Sequence, residues 1–280
     1  EYAGKGNQID SPSSLSDHAT HVAGTMIASG MNASAQGMAS AATIDAYSFF
    51  NDEAEMTSFA ANGGILSNHS YGTVTGWRFD SPDWYWYGDT TISGTEDWSF
   101  GFYTNAAREW DLIANNAPNY LIVKSAGNDR GDGPSGATNH FVWDNFSGWV
   151  ASNTARPQDG GALGYDCVPA KGVAKNILTV GAVNDVSGGY SVPSDVVMSS
   201  FSSWGPTDDG RIKPDIVANG ISLFSTSSAG DMSYNNKSGT SMSAPNATGS
   251  MALLQELHNT VEGNFYGCLD FKSFGHSYSR

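Results

Sequence analysis

The sequence predicts an α/β domain in which a mostly parallel sheet is covered by helices. Short apolar runs alternate along the chain with segments of helical periodicity, an alternation typical of strands joined by crossover helices. The 280 residues suit one large domain, since neither an internal repeat nor a linker divides them. The 33 glycines and the 15% share of charged residues favour a compact, loop-rich chain over a disordered one.

Each predicted strand is an apolar run bounded by turn-forming residues, and each predicted helix carries apolar residues at helical spacing. The expected strands are 43–49, 64–69, 120–125, 176–183 and 215–218, and the expected helices are 20–28, 53–62, 103–115 and 241–258. Two segments, 73–102 and 129–171, lack a clear period, so we expect long ordered loops there. Loops of that length in a compact α/β domain tend to be functional.

The bulk composition narrows the classes of partner. A formal net charge of −15 argues against a nucleic acid or an anionic membrane as the partner. No apolar run approaches the roughly 20 residues that span a bilayer. Two cysteines are too few for a disulfide framework, so one bridge and none are both open.

Ser241 stands at the start of the last predicted helix, within Ser-Gly-Thr-Ser-Met-Ser-Ala-Pro at residues 238–245. Free N–H groups and the positive end of the helix dipole favour a developing negative charge there, which suits a serine nucleophile. A serine at a helix start is more commonly only a cap. The nucleophile interpretation therefore needs a base and an oxyanion donor elsewhere in the chain.

Two further segments offer those groups. Residues 17–25 read Asp-His-Ala-Thr-His-Val-Ala-Gly-Thr and place His18 and His21 three apart at the start of a helix. A metal site is one interpretation of the pair, but no third ligand is spaced to complete it. A serine hydroxyl needs a nearby imidazole to take its proton, which favours His18 as a base. Asn128 follows a buried strand, where it is either a turn residue or an amide that donates to an oxyanion.

These three blocks, in this order, resemble the subtilisin family of serine proteases. The blocks at 18–25, 125–128 and 238–245 match the family's His, Asn and Ser motifs, and the likeness extends over about 17–260. The resemblance implies a three-layer subtilisin-like fold and a serine endopeptidase that works through an acyl-enzyme. It implies that Ser241 is the nucleophile, that His18 is the general base and that Asn128 belongs to the oxyanion hole. His21 is then a structural helix residue.

The same resemblance implies a substrate-binding cleft between two strand ends. One wall would comprise Ser70, Tyr71 and Gly72, and the opposite wall Ser125, Ala126 and Gly127. Six aromatic residues crowd the loop that follows the first wall: Trp77, Trp84, Tyr85, Trp86, Tyr87 and Trp98. They form either a satellite core that anchors the loop, the commoner arrangement, or an aromatic wall of the peptide cleft.

The chain departs from the family pattern before His18. The family's catalytic Asp lies at a strand end well upstream of the His, whereas only 17 residues precede His18 here. Asp10 and Asp17 stand too close in sequence, so neither is assigned, and we expect the first strand and its Asp to be missing. An Asn in place of that Asp lowers kcat about 10⁴-fold in a serine protease. The alternative function is therefore a non-catalytic, peptide-binding fragment or pseudo-protease.

The end of the chain departs as well. Residues 266–280 differ from the apolar segment that the resemblance leads us to expect, and one permitted back-translation read one nucleotide later yields such a segment. We therefore expect a peptidase domain at 1–265 and an atypical, frame-shifted tail at 266–280 without a native packing site. An esterase is a third possible function, which the lack of a Gly-X-Ser-X-Gly motif disfavours.

The remaining expectations come from the resemblance. No cofactor is required, and structural calcium stays an open expectation because only Asn32 offers a side-chain ligand in the loop that relatives use. We expect a monomer that acts on protein or peptide substrates outside the cell or in the cell envelope. No signal peptide opens the sequence, so this location rests on the family and on the acidic composition.

Overall fold

A seven-stranded sheet with all neighbouring strands parallel forms the centre of the molecule. The computed structural model describes residues 1–11, 14–262 and 270–274. The strands are β1 Gly6–Gln8, β2 Thr43–Tyr47, β3 Leu66–His69, β6 Leu121–Ser125, β9 Leu178–Val183, β10 Ile216–Asn219 and β13 Asp270–Phe274. Their spatial order is β1-β2-β13-β3-β6-β9-β10. The five predicted strands and the predicted α/β class are confirmed.

Four helices cover the two faces of this sheet: α1 Asp17–Ile27, α2 Asp52–Ala61, α3 Asn105–Asn116 and α4 Thr240–Glu262. Each predicted helix is present, with ends shifted by one to four residues. Adjacent β6 residues show the layering, because successive side chains of a strand point to opposite faces. Val123 packs into the core of α1 and α4, whereas Ile122 packs into the core of α2 and α3.

Helix starts follow ordinary capping chemistry. The Ser16 hydroxyl accepts a hydrogen bond from the Ala19 N–H at the start of α1, and Thr104 does the same for the Ala107 N–H at the start of α3. Within the described residues, no helix is both long enough and apolar enough to cross a membrane.

Segments 73–102 and 129–171 are ordered, as expected, but the expectation that they are loops without regular strands is wrong. Both contain strands, β4 Trp77–Asp80 and β5 Asp83–Trp86 in the first, β7 His140–Asp144 and β8 Gly148–Ser152 in the second. The four strands form a second sheet, in which β5 pairs with β7 across more than fifty residues of sequence. Such short strands gain their stability from this distant pairing, which periodicity within one segment does not reveal.

The aromatic residues of the first loop build the core of this second sheet. Trp77, Trp86 and Val142 form a buried apolar cluster of this sheet, and Trp84 packs against that cluster. Trp98 lies apart from them and packs edge-to-face on Phe102. The satellite-core interpretation therefore holds for these tryptophans, while Trp77 also reaches the wall of the central cleft.

The tail also differs from expectation. The backbone of β13 pairs with β2 on one side and β3 on the other, so five tail residues do have a place in the sheet. Residues 266–269 and 275–280 lie outside the described residues. The proposed frame-shifted origin of the tail stays a prediction.

A hairpin of β11 Leu223–Thr226 and β12 Tyr234–Lys237 packs against α1 and requires a glycine there. A Cβ on Gly24 would lie 2.2 Å from Thr226 Oγ1 and 2.4 Å from Ser225 Oγ. Both hydroxyls are held in place, because they donate to carbonyl oxygens of α1. Gly24 therefore fixes how closely the hairpin approaches the helix.

Replacing Gly24 with Ala should lower the free energy of unfolding by about 1–3 kcal/mol, the usual cost of overpacking. Urea denaturation followed by tryptophan fluorescence measures this change. The matched control is Gly94→Ala, because a Cβ at Gly94 meets no atom within 4 Å. Equal stabilities of the two variants would show that the hairpin moves away freely.

Asp159 makes stability depend on pH. Its side chain is 5% exposed, and burial raises the pKa of Asp159 to about 9 in spite of the hydrogen bond from the Trp77 N–H. The folded state thus keeps a proton that the unfolded chain loses near pH 4, so stability falls as pH rises from there towards 9.

One such carboxyl group changes the free energy of unfolding by at most about 1.4 kcal/mol per pH unit. Asp159→Asn keeps an oxygen for the Trp77 N–H and should make the decline of the unfolding free energy between pH 6 and 9 less steep. Thermal or urea unfolding at several pH values tests this, with the exposed Asp231→Asn as the control. An unchanged slope in Asp159→Asn would contradict the assignment.

Candidate active site

The two helices that carry Ser241 and His18 begin at the same edge of the sheet. Helix α1 connects β1 to β2, which are parallel, so it starts at the carboxyl edge and runs back. Helix α4 precedes β13, a strand parallel to its neighbours β2 and β3, and runs the same way. Ligands of α/β sheets gather at this edge.

The contact between the helices sets His18 and Ser241 at the same height. A Cβ on Gly249 of α4 would lie 3.5 Å from the Met26 carbonyl oxygen of α1. His18 lies eight residues before Met26, and Ser241 lies eight residues before Gly249. At 1.5 Å per residue, both are about 12 Å along their helices from this contact. The first turns of the two helices are therefore level at the carboxyl edge.

Ser241 and Ser70 are joined by two reciprocal hydrogen bonds. Ser241 Oγ donates to the Ser70 carbonyl oxygen at 3.2 Å, and Ser70 Oγ donates to the Ser241 carbonyl oxygen at 3.1 Å. Pro245 leaves the Ser241 carbonyl free to accept from Ser70, because proline has no N–H to donate to the carbonyl four residues earlier in the helix. The end of β3 thus holds the first turn of α4.

Asn128 is oriented by Thr240. The Asn128 Oδ1 atom accepts hydrogen bonds from the Thr240 N–H at 2.8 Å and from Thr240 Oγ1 at 2.9 Å. With the oxygen occupied by two donors, the amide must present its NH2 group away from Thr240. The Ser241 N–H lies in the first turn of α4, where N–H groups have no partner inside the helix. Two donors are thus available near Ser241.

A cleft of about 280 Å³ lies between the predicted walls. Tyr71 and Gly72 line one side, Ser125 and Gly127 the other, and the segment 169–172 forms a third side. Asn128 and Ser241 also line it. Ser70 and Ala126 are not among the lining residues, since Ser70 binds Ser241 and Ala126 is fully buried; their part in substrate binding stays a prediction.

The carboxylates nearest to His18 in sequence are bound elsewhere. Asp17 accepts hydrogen bonds from Ser227 and Asn235 and forms an ion pair with Lys237. Burial raises the pKa of Asp17, but these partners outweigh it and hold that pKa well below its usual range. The Asp10 carboxylate accepts from the Ser48 N–H and from Gln8.

His21 lies on the buried side of α1. Its Nε2 lies 2.9 Å from the Leu223 carbonyl oxygen, which only accepts, so Nε2 must carry the proton. Burial lowers the pKa of His21, and the ring is therefore a neutral contact between α1 and the hairpin.

The loop around Asn32, where structural calcium stays an open expectation, uses its side-chain oxygens for hydrogen bonds. Asn32 Oδ1 accepts the Ser34 N–H, and the Glu1 carboxylate accepts the N–H groups of Gly30 and Asn32. These oxygens already face donors. Across the described part of the chain, no group of three His, Cys, Asp or Glu side chains is placed to hold a metal.

Sequence reasoning missed two residues of this site. By sequence alone, Thr240 is assigned no role beyond its place in the Ser241 motif. In the structure it orients Asn128, and its Oγ1 accepts a hydrogen bond from the Gly127 N–H at 3.2 Å. Lys124 was one residue of a predicted strand, yet it lines the cleft. A charged residue within an otherwise apolar strand was the available signal, because lysine is rarely buried.

Comparison with known families agrees with this arrangement. The Peptidase_S8 profile, described as the subtilase family, matches residues 1–265. The chain belongs to the subtilase family. This subtilase is 52% identical over 63 residues to a C5a peptidase of Streptococcus pyogenes, a match covering 22% of the chain and 5% of that protein. It is 43% identical over 75 residues to a PII-type proteinase of Lacticaseibacillus paracasei, which covers 27% of the chain and 4% of the relative.

Solved structures confirm the subtilisin-like fold. The prenylagaramide maturation protease PagA superimposes with a TM-score of 0.55 at 19% identity, over 95% of this subtilase and 73% of that chain. A cold-adapted subtilisin-like serine proteinase gives a TM-score of 0.51 at 21% identity, over 92% and 71% of the two chains.

Ser70→Ala should slow the reaction of Ser241 with a fluorophosphonate about tenfold. The substitution leaves the half-buried Ser241 carbonyl without its donor, a loss of about 1 kcal/mol, and so loosens the first turn of α4. Rates of labelling measure the effect, and the exposed Ser58→Ala in α2 is the control. Equal labelling rates for Ser70→Ala and the unchanged protein would remove Ser70 from the site.

Proposed function

We propose that this chain is the catalytic domain of a serine endopeptidase that hydrolyses peptide bonds through an acyl-enzyme. The observation that supports this most is the convergence of three groups at one sheet edge. These are the Ser241 hydroxyl, the first turn of α1 that carries His18, and the oriented amide of Asn128. Subtilase membership and the names of the matched relatives, a peptidase and a proteinase, support the same reaction.

In this proposal His18 takes the proton of Ser241 Oγ as the oxygen attacks the scissile carbonyl. The hydroxyl then exchanges its hydrogen bond to the Ser70 carbonyl for one to the imidazole. The negative oxygen of the tetrahedral intermediate is bound by the Asn128 NH2 group and the Ser241 N–H. His18 returns the proton to the leaving amine, and water later releases the acyl group by the same path in reverse.

The substrate lies between the two strand ends. Extended peptide pairs with the backbone at 70–72 and 125–127, and the side chain before the scissile bond enters the cleft of about 280 Å³. The protein acts as a monomer on proteins or peptides, outside the cell or in the cell envelope, without a cofactor. These assignments rest on the family and on the acidic composition.

Asn128→Ala tests the oxyanion donor. The loss of one such donor typically lowers kcat by about 10²–10³ with little change in KM, since the bond forms mainly in the transition state. Hydrolysis of a peptide p-nitroanilide measures both constants. Asn145→Ala, in the exposed turn after β7, is the control. A rise in KM with kcat unchanged would instead assign Asn128 to substrate binding.

A non-cleaving peptide-binding protein is the second candidate. The observation that favours it is the engagement of Asp10 and Asp17 with partners other than the imidazole. Fluorophosphonate labelling of this chain, of its Ser241→Ala variant and of an upstream-extended form separates the candidates. If the chain or its extended form is labelled and cleaves peptide, and Ser241→Ala abolishes both, the protease is supported. Peptide binding without labelling in either form supports the second candidate.

A further inference from the structure

A buried lysine lies between the two walls of the cleft. Lys124, in β6, is 5% exposed, and its Nζ donates to the Ser125 carbonyl oxygen at 2.8 Å and to Ser125 Oγ at 3.1 Å. On the opposite wall, a Cβ at Gly72 would lie 3.9 Å from the same Nζ and would meet no nearer atom. The ammonium therefore stands where a side chain entering the cleft would end.

This ammonium has a hydrogen-bonding capacity that the protein does not use up. An ammonium group has three donors, and two of them bind Ser125. In the described part of the chain, no carboxylate lies within 4.0 Å of Lys124 Nζ. Burial lowers the pKa of Lys124 to about 7; the charges of Asp129 and Asp52 oppose this shift from a distance, and the charge of Lys171 adds to it. A buried charge of this kind gains most from a partner that brings a negative charge.

We propose that Lys124 selects substrates with a carboxylate side chain, glutamate or aspartate, immediately before the scissile bond. The inference rests on the proposed function and names the substrate class of that site. The substrate carboxylate accepts the third N–H of Lys124 inside the cleft, where low solvent access strengthens the contact. The absence of a side chain at Gly72 leaves space for the substrate side chain to reach it.

The other charged residues that line the cleft are Arg78, Lys171, Asp129 and Asp132. Arg78 is exposed, so solvent screens its charge. Lys171 is bound to Asp52 and Glu53, which offset its charge. Asp129 is bound to Ser203 Oγ, and burial raises the pKa of Asp129 to about 7 and that of Asp132 to about 6. Part of the charge of these carboxylates is therefore absent near neutral pH. A basic substrate side chain would have to lie against the ammonium itself.

The test compares peptides that differ only before the scissile bond. The kcat/KM values of p-nitroanilides with Glu, Gln, Leu and Lys at that position are measured for the unchanged chain, for Lys124→Met and for Lys175→Met. Lys175 is an exposed lysine outside the cleft, paired with Asp209, and serves as the matched control. Fluorophosphonate labelling of each protein reports separately on Ser241 and on folding.

For the unchanged chain, we expect kcat/KM of the Glu peptide to exceed that of the Gln peptide about 10- to 100-fold. This is the range for a hydrogen bond to a charged group. Lys124→Met should abolish this preference while still being labelled and cleaving the Leu peptide. Lys175→Met should retain the preference. A preference for the Lys peptide, or a Glu/Gln ratio that Lys124→Met leaves unchanged, overturns the inference.

A failure of the proposed function is distinguishable. If no form is labelled and no peptide is cleaved, calorimetry measures the binding of peptides that end in Glu or Gln to the unchanged chain and to Lys124→Met. Tighter binding of the Glu peptide that disappears in Lys124→Met supports the role of Lys124 in a binding cleft. Equal binding of the two peptides overturns it.

Discussion

The packing of α1 against α4 on one face of the sheet is the constraint on which the site depends. Gly249 of α4 lies at the contact, where a Cβ would lie 2.6 Å from Met38 Cβ and 3.5 Å from the Met26 carbonyl oxygen of α1. Their shared core of Val22, Met26, Met242 and Ala247 fixes both the distance and the relative height of the helices. Because interiors pack as densely as crystals, a shift of one helix would have to move the other. The apolar core thus fixes how the first turns that carry His18 and Ser241 are placed relative to each other.

Polar contacts then adjust the first turn of α4 to the strand ends. Ser70 binds the carbonyl that Pro245 leaves without a helical partner, and Thr240 binds the Asn128 amide oxygen. Each bond satisfies a group that the helix start would otherwise leave unpaired. The ends of β3 and β6 are thus tied to the same turn. Stability of this turn and placement of the reactive groups come from the same hydrogen bonds.

How much the sequence could predict depended on whether the decisive contacts were local. The helices and the main parallel strands follow from periodicity, and the Ser241, His18 and Asn128 blocks are contiguous motifs. The second sheet depends on pairing between Tyr85 and Phe141, which no short segment encodes. Lys124 was missed for a similar reason. Its burial is decided by where β3 and the 169–172 segment place their backbone, and a strand pattern does not contain that information.

The sheet also determines which strand ends reach the site. Strands β2 and β3 do not pair with each other, because both pair with the strand between them. Neighbouring strands lie about 4.8 Å apart, so an empty position would leave a gap of about 9.6 Å with unpaired backbone groups on both sides. In the described residues, the backbone of Asp270–Phe274 fills this position in parallel register. A strand parallel to its neighbours in that place ends at the carboxyl edge, beside the end of β3. The orienting Asp of the resemblance stays a prediction, and this position is one whose carboxyl end lies at the edge of the site.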